Sequence, residues 1–239
     1  MKIVQGFLVL LLVSAFFIGA IPTAWAADSW VTDPKTGCKI VWVFDNYTIV
    51  AVSWSGPAVD NLAEGKGALT FTIRGKDGKE LRGQGDVEMK AGKLDGKGSI
   101  KWSNGQVSDG DYKNGRMNGK GVIKFSNGET YDGDFKDGDM EGRGVYKKVD
   151  GSTYDGEWKR SVKEGKGIVK WANGESYDGD FKNGKMDGRG IIKGVNGTVY
   201  EGDVLEGKPA GYGVLKDASG KVLFEGESTG PSDDSGQQF

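Results

Sequence analysis

The sequence predicts an all-β chain, folded as an elongated single-layer antiparallel sheet of tandem 23-residue β-hairpins. Three observations carry that prediction. The first is a fixed period: Tyr131, Tyr154, Tyr177 and Tyr200 are each followed at +2 by glycine (Gly133, Gly156, Gly179, Gly202), and the first three at +4 by Phe135, Trp158 and Phe181. A Gly-x-Gly pair closes each unit, as in Gly142/Gly144, Gly165/Gly167, Gly188/Gly190 and Gly211/Gly213, and one register earlier Ser108, Gly110, Tyr112, Gly119 and Gly121 keep the pattern. Fixed-period self-similarity marks a repeat array rather than a closed globule. The second is alternation: Tyr131, Gly133 and Phe135 fall on one face and Asp132 and Asp134 on the other, the period-2 signature of a strand with one wet face. The third is turn chemistry. Asn104-Gly105, Asn127-Gly128, Asp150-Gly151, Asn173-Gly174, Asn196-Gly197 and Ser219-Gly220 separate the units, and such pairs are favoured in tight hairpin turns whose central residues both need φ > 0.

Taken in order, residues 1–26 read as an export signal: Lys2, an apolar run from Phe7 to Ile21, and the small-x-small site Ala24-Trp25-Ala26. Cleavage there delivers a periplasmic or secreted chain starting near Ala27; the alternative is an uncleaved N-terminal membrane anchor, since Ile3 to Ile21 is almost long enough to span a bilayer. Residues 27–53 read as an N-terminal cap segment holding Cys38, the sole thiol, which excludes an intramolecular disulfide and leaves a buried or an interchain cysteine. Residues 54–227 are the array, about seven repeats, with 68–98 irregular. Its unit at Tyr154 has Ser161 where the others carry glycine, the unit at Tyr200 has Val204 in place of the +4 ring, and Phe224-Glu225-Gly226 begins a unit that never completes. Residues 228–239, rich in Ser, Asp, Gln and Gly, read as a disordered tail. A lone hairpin is marginal in water, so the units must pair side by side. Glycines inside strands weaken them unless something bulky lies over them, and the neighbouring rings are the candidates.

The unit Tyr-x-Gly-x-Trp/Phe-x-x-Gly-x-x-x-Gly-x-Gly resembles the MORN repeat, most closely in YDGDFKDGDMEGRG from Tyr131 and YDGDFKNGKMDGRG from Tyr177, and the resemblance runs over roughly residues 54 to 226. The opening GCKIVWVFDNYTIVAVSWSG is similar to the entry of exported bacterial MORN proteins, where a second cysteine commonly follows Trp-Ser-Gly; here Pro57-Ala58 occupy that place. The resemblance implies a binding scaffold and, from some members, association with anionic phospholipid.

Both faces carry ordered side chains. On the polar face Asp109, Asp132, Asp155, Asp178 and Glu201 form one acidic column and Asp111, Asp134, Glu157, Asp180 and Asp203 a second. The return strands supply Lys97, Lys120, Arg143, Lys166 and Arg189, then Lys101, Lys124, Lys147, Lys170, Lys193 and Lys216. Cross-strand ion pairing is the ordinary use of such columns; the last six lysines are also the candidate basic column for phosphate. The other face presents Trp102, Tyr112, Phe125, Tyr131, Phe135, Tyr154, Trp158, Trp171, Tyr177, Phe181 and Tyr200. Packed over glycines they form a core; left uncovered by a second layer they form an aromatic interaction face.

Composition narrows the function. With Lys+Arg at 32 against Asp+Glu at 34, the net field attracts neither nucleic acid nor an anionic surface in general. No histidine is present, which removes histidine-based triads, general bases and zinc sites. The Gly-x-Gly pairs follow the structural period, with no phosphate-loop lysine or nucleophile-elbow serine beside them. The expectation is therefore a non-catalytic exported scaffold, without cofactor, metal, nucleic acid or small-molecule substrate. It binds a protein partner or self-associates through the aromatic groove or a sheet edge. The alternatives are anionic phospholipid head groups at a membrane surface and cell-envelope carbohydrate.

Overall fold

The computed structural model describes residues 29–42 and 47–228. Residues 1–26, read as an export signal, and residues 229–239, read as a disordered tail, lie outside the described residues. Every regular element among the described residues is a strand. The N-terminal part comprises β1 (Ser29–Thr32), β2 (Lys39–Trp42), β3 (Tyr47–Trp54), β4 (Ala58–Val59), β5 (Leu62–Ala63), β6 (Gly65–Gly75), β7 (Glu80–Lys90) and β8 (Lys93–Trp102). Hairpins of nearly constant length follow: β9 (Val107–Lys113) with β10 (Arg116–Lys124), β11 (Thr130–Lys136) with β12 (Asp139–Lys147), and β13 (Thr153–Lys159) with β14 (Val162–Lys170). Then come β15 (Ser176–Lys182) with β16 (Lys185–Lys193), β17 (Val199–Leu205) with β18 (Lys208–Lys216), and a single strand β19 (Val222–Ser228).

One 15-stranded sheet runs from β3 through β6 and then in chain order to β19, antiparallel throughout, which is the all-β tandem-hairpin sheet read from the sequence. It begins at Tyr47, inside the segment assigned to the cap. The irregular stretch is also explained. Strands β6 and β7 are 11 residues each and pair over ten positions, from Gly65↔Met89 to Arg74↔Glu80, where β10 and β11 pair over six, and this extra length breaks the 23-residue spacing; the next pair, β7–β8, already carries between Val87 and Met89 the bulge of the later hairpins.

That bulge sits at the Gly-x-Gly pair. In β11–β12 the partners run Gly133↔Gly144 and then Phe135↔Met140, two extra residues on the return strand. Gly142 takes φ +69°, which a side chain would resist. The freed N–H of Arg143 is taken up by the Asp134 carboxylate at 3.3 Å, and Asp180 does the same for Arg189 at 3.0 Å.

The turns differ from the sequence reading. At Asn127-Gly128 only the glycine has positive φ; Gly128 N–H donates to Phe125 O and Phe125 N–H to Glu129 O, a three-residue loop with a glycine bulge. Turns with both central residues at positive φ lie inside the hairpins, at Asn114-Gly115, Asp137-Gly138, Arg160-Ser161, Asn183-Gly184 and Glu206-Gly207. Each is tied to the preceding hairpin, as when Gly138 N–H donates to Met117 O at 2.9 Å and Gly207 N–H to Met186 O at 2.9 Å.

A second, four-stranded sheet of order β1-β2-β5-β4 docks at the N-terminal end through Val41 N–H to Gly92 O at 2.7 Å. Asp33, fully buried, anchors it by accepting the N–H groups of Trp54 at 3.0 Å and Lys35 at 2.8 Å. Burial opposes its charge, but those hydrogen bonds outweigh it and hold the carboxyl below its ordinary value. Cys38 is buried in this cap, and burial pushes its thiol up. One continuous core links the cap to the end of the array, from Cys38 to Val204.

Candidate interaction surfaces

The aromatic column is core. Each unit's first tyrosine lies along its own strand over a glycine pair, because a Cβ on Gly133 or Gly144 would strike the Tyr131 ring. The +4 ring then packs edge-on against its own tyrosine and the previous one: Trp158 lies 5.1 Å from Tyr154 and 5.4 Å from Tyr131, and Phe181 lies 5.3 Å from Tyr177 and 4.9 Å from Tyr154. Trp158 also donates its indole N–H to Gly144 O at 3.1 Å. Of the eleven aromatic residues read onto this face, Tyr112, Phe125, Tyr131, Phe135, Tyr154, Trp158, Tyr177, Phe181 and Tyr200 are buried within the chain, and only Trp102 and Trp171 are partly exposed. The expectation of an uncovered ring face is corrected accordingly: rings laid flat on glycines cover the sheet themselves, and no second layer is needed. Rings so placed offer no stacking platform to a sugar.

The charged face divides into two kinds of row. The inner one is paired across hairpins: Lys97–Asp111 at 2.5 Å, Lys120–Asp134 and Lys166–Asp180 at 2.6 Å, and Arg189–Asp203 at 3.8 Å. The outer lysines are not. Lys124 and Lys147 face Thr130, Lys170 faces Thr153 and Ser176, and Lys193 faces Val199. Among the described residues none of Lys101, Lys124, Lys147, Lys170, Lys193 and Lys216 has an ion-pair partner. Between the two rows, Asp132, Asp155 and Asp178 alternate with the exposed aliphatics Val122, Val145 and Ile168, a mixed row with no sequence precedent in the charge reading. Among the described residues no group of three or more acidic or thiol side chains is gathered to hold a metal ion.

One concave pocket of about 250 Å³ opens on the aromatic side of the unit at Tyr154, lined in part by Trp171, Met186, Glu206 and Lys163. Here Lys163 pairs with Trp158 at the place where Met140 pairs with Phe135 and Met186 with Phe181. Its ammonium lies 4.7 Å from the Tyr154 ring centre, and burial pushes its pKa down. Sequence reasoning noted Ser161 in this unit and passed over Lys163, although the lysine is visible as a break in a column of methionines.

The remaining surface is an edge. Among the described residues strand β19 pairs with β18 alone, and Val222 and Leu223 on it are 47% and 53% exposed.

The comparison with curated proteins gave no match. Among solved structures the chain is similar to the wild-type TCP10 domain of Danio rerio CPAP, at 13% identity, covering 84% of this chain and 100% of that one with a TM-score of 0.31. A family model described as the MORN repeat matches residues 88–107, 109–130, 131–153, 154–176, 177–199 and 200–222. Repeats of that family are protein- or membrane-interaction modules, and the repeat is a non-enzymatic domain. The matched segments cover more than half of the sequence, in register with the hairpins just described, and the chain belongs to the MORN-repeat family.

Proposed function

We propose that this chain is an exported, non-catalytic repeat scaffold that binds a protein partner through the open edge of its long sheet at β19. The observation that carries the reading is the open edge: Phe224-Glu225-Gly226 opens a unit in register with Gly213, and among the described residues nothing pairs with its outer side. An edge strand presents a row of free N–H and C=O groups, the template for strand addition by another chain. Export rests on the apolar run and the Ala24-Trp25-Ala26 site. The test is a photo-cross-linking residue placed at Leu223 and, separately, at Ile168 on the charged face. Cross-links to one partner from Leu223 and not from Ile168 are expected; equal labelling, or none from the edge, overturns the reading. N-terminal sequencing of the exported protein, expected to start near Ala27, tests the export arm.

A second reading has its own observation. The six unpaired lysines, one per hairpin, suit the phosphates of anionic phospholipid head groups at a membrane surface. Flotation with vesicles containing phosphatidic acid, compared with neutral vesicles, decides it; co-flotation must be lost when Lys124, Lys147 and Lys170 become Gln.

A further inference from the structure

An unbroken line of paired glycines crosses the sheet from Gly98 to Gly226, one on every strand from β8 to β19. The line is a steric requirement within each hairpin. A Cβ on Gly202 would come within 2.5 Å of the Gly213 Cα and 2.6 Å of the Tyr212 carbonyl oxygen, so the backbones meet too closely for any side chain at this level. Return strands share one sequence around that glycine: Gly-Lys-Gly-Val-Ile-Lys in β10, Gly-Arg-Gly-Val-Tyr-Lys in β12, Gly-Lys-Gly-Ile-Val-Lys in β14 and Gly-Arg-Gly-Ile-Ile-Lys in β16. The basic residue between the glycines gives its backbone N–H to the +3 carboxylate of the outgoing strand, as Arg189 does to Asp180.

Strand β19 carries the ring, glycine and carboxylate positions of the outgoing side of this arrangement, with Ser228 in place of the +4 ring. Phe224 stands at the tyrosine position, Gly226 at +2 and Glu227 at the +3 carboxylate. The cation that neutralises the +3 carboxylate elsewhere, from the preceding return strand, is replaced by Tyr212, which lies opposite Glu227 and donates its hydroxyl to Glu225 at 2.7 Å. Two exposed carboxylates therefore mark the open edge, facing Val214 and Tyr212, and among the described residues no cation pairs with either.

Resting on the reading of β19 as the docking edge, we infer that its occupant is a basic, glycine-bearing β-strand of another protein, of the form Gly-Lys/Arg-Gly-aliphatic-aliphatic-Lys. Added antiparallel, that strand puts its second glycine against Gly226, its first aliphatic residue beside Glu225 and the N–H of its basic residue on Glu227, completing a hairpin with β19. The other strands at hand fail. A second β19 centred on Gly226 sets Glu225 against Glu227 twice, and like charges directly opposite repel. The opposite sheet edge, β3, holds no glycine to face Gly226. Residues 229–239 of this chain hold two aspartates and no Lys or Arg.

The probe is a fluorescent nine-residue peptide copying Lys185–Lys193 (KMDGRGIIK), titrated with the full chain and followed by anisotropy. Saturable binding is expected, reduced at least about tenfold by Gly190→Val in the peptide and by Arg189→Glu in the peptide. In the chain, Glu225→Lys with Glu227→Lys produces a similar loss while the circular dichroism spectrum stays unchanged, since both side chains are exposed. No binding, or equal binding by a scrambled peptide and by Gly190→Val, overturns the inference. An edge that cross-links a partner from Leu223 but ignores these peptides leaves the docking edge standing and removes only the strand specificity. An edge that does neither removes both.

Discussion

Tyr131 donates its phenol hydrogen to the backbone carbonyl of Asp134, three residues on in the same strand, at 3.0 Å. The ring must lie flat to make that reach, and it does so over Gly133 and Gly144. Tyr154, Tyr177 and Tyr200 repeat the bond to Glu157, Asp180 and Asp203 at 2.8, 2.9 and 2.8 Å. Gly144→Ala drives a methyl group into a fully buried ring and is expected to lose about 2–4 kcal/mol in urea unfolding. Gly105→Ala is the control. Its Cβ meets nothing within 4 Å, so only the cost of φ +88° remains, about 1 kcal/mol. Equal losses at the two sites would show that the ring does not set the glycine requirement.

How much of this was legible follows from what each residue type can report. The period, the hairpins, the alternation of faces and the rings over glycines were all readable, because Tyr131, Gly133 and Gly144 encode them by identity and spacing. The turn types were not. Asn-Gly stands both at Asn104-Gly105 between units and at Asn114-Gly115 within one, and loop length, fixed by strand register, decides which asparagine takes positive φ. Whether the aromatic column is core or an open face stayed undecided in the sequence, because alternation gives the side of the sheet and not the angle at which a ring leaves it. The pairing of Lys120 and not Lys124 depends on a one-strand register: Lys120 meets Asp134, whereas Lys124 meets Thr130.

The unit at Tyr154 is expected to be the weakest of the array. Its turn holds Arg160 and Ser161 at φ +48° and +64°, a conformation that Asn-Gly at 114–115 and 183–184 adopts more easily. Arg160→Asn should therefore raise stability by about 0.5–1 kcal/mol. Lys163→Met restores the residue found at 117, 140 and 186 and removes a half-buried ammonium, with an expected gain of about 1 kcal/mol. Hydrogen exchange of Val162–Lys170 should slow in both variants. If Lys163→Met destabilises the chain, the pocket lysine is held by more than the Tyr154 ring.

Asp180 serves two bonds at once, the ion pair with Lys166 at 2.6 Å and the Arg189 N–H at 3.0 Å. The Lys166 hydrogen bond, assisted by its charge and by the Arg189 N–H, holds the carboxyl below its ordinary value. Stability from this lowered group is present above its unfolded pKa and lost as pH falls through the folded one. Asp180→Asn keeps an acceptor for the bulge and loses a solvent-screened pair, costing about 0.2–0.5 kcal/mol. Asp180→Ala also strands the N–H, adding about 1 kcal/mol. The Asn variant should also show a shallower loss of stability on acidification; an Ala variant no worse than Asn would place the bulge N–H in water.

Alkaline unfolding should be steep, and the tyrosine ladder is the reason. Burial pushes Tyr112 and Tyr177 up to about 12 from an ordinary 10, and pushes Tyr131 and Tyr154 higher still. Below pH 10 each phenol is neutral in both states, and its contribution is intact. Between the unfolded and folded values the unfolded chain releases protons that the folded chain keeps, so stability falls with rising pH by about 1.4 kcal/mol per pH unit for each such tyrosine. Four groups acting together remove several kcal/mol within the first unit, enough to unfold a domain of ordinary stability. Tyrosinate absorbance and far-ultraviolet circular dichroism, followed from pH 9 to 12, should therefore change in one shared transition above pH 10. Smooth ionisation of the phenols near pH 10 with the strand signal intact would mean the rings are open to solvent, and the buried ladder would have to be abandoned.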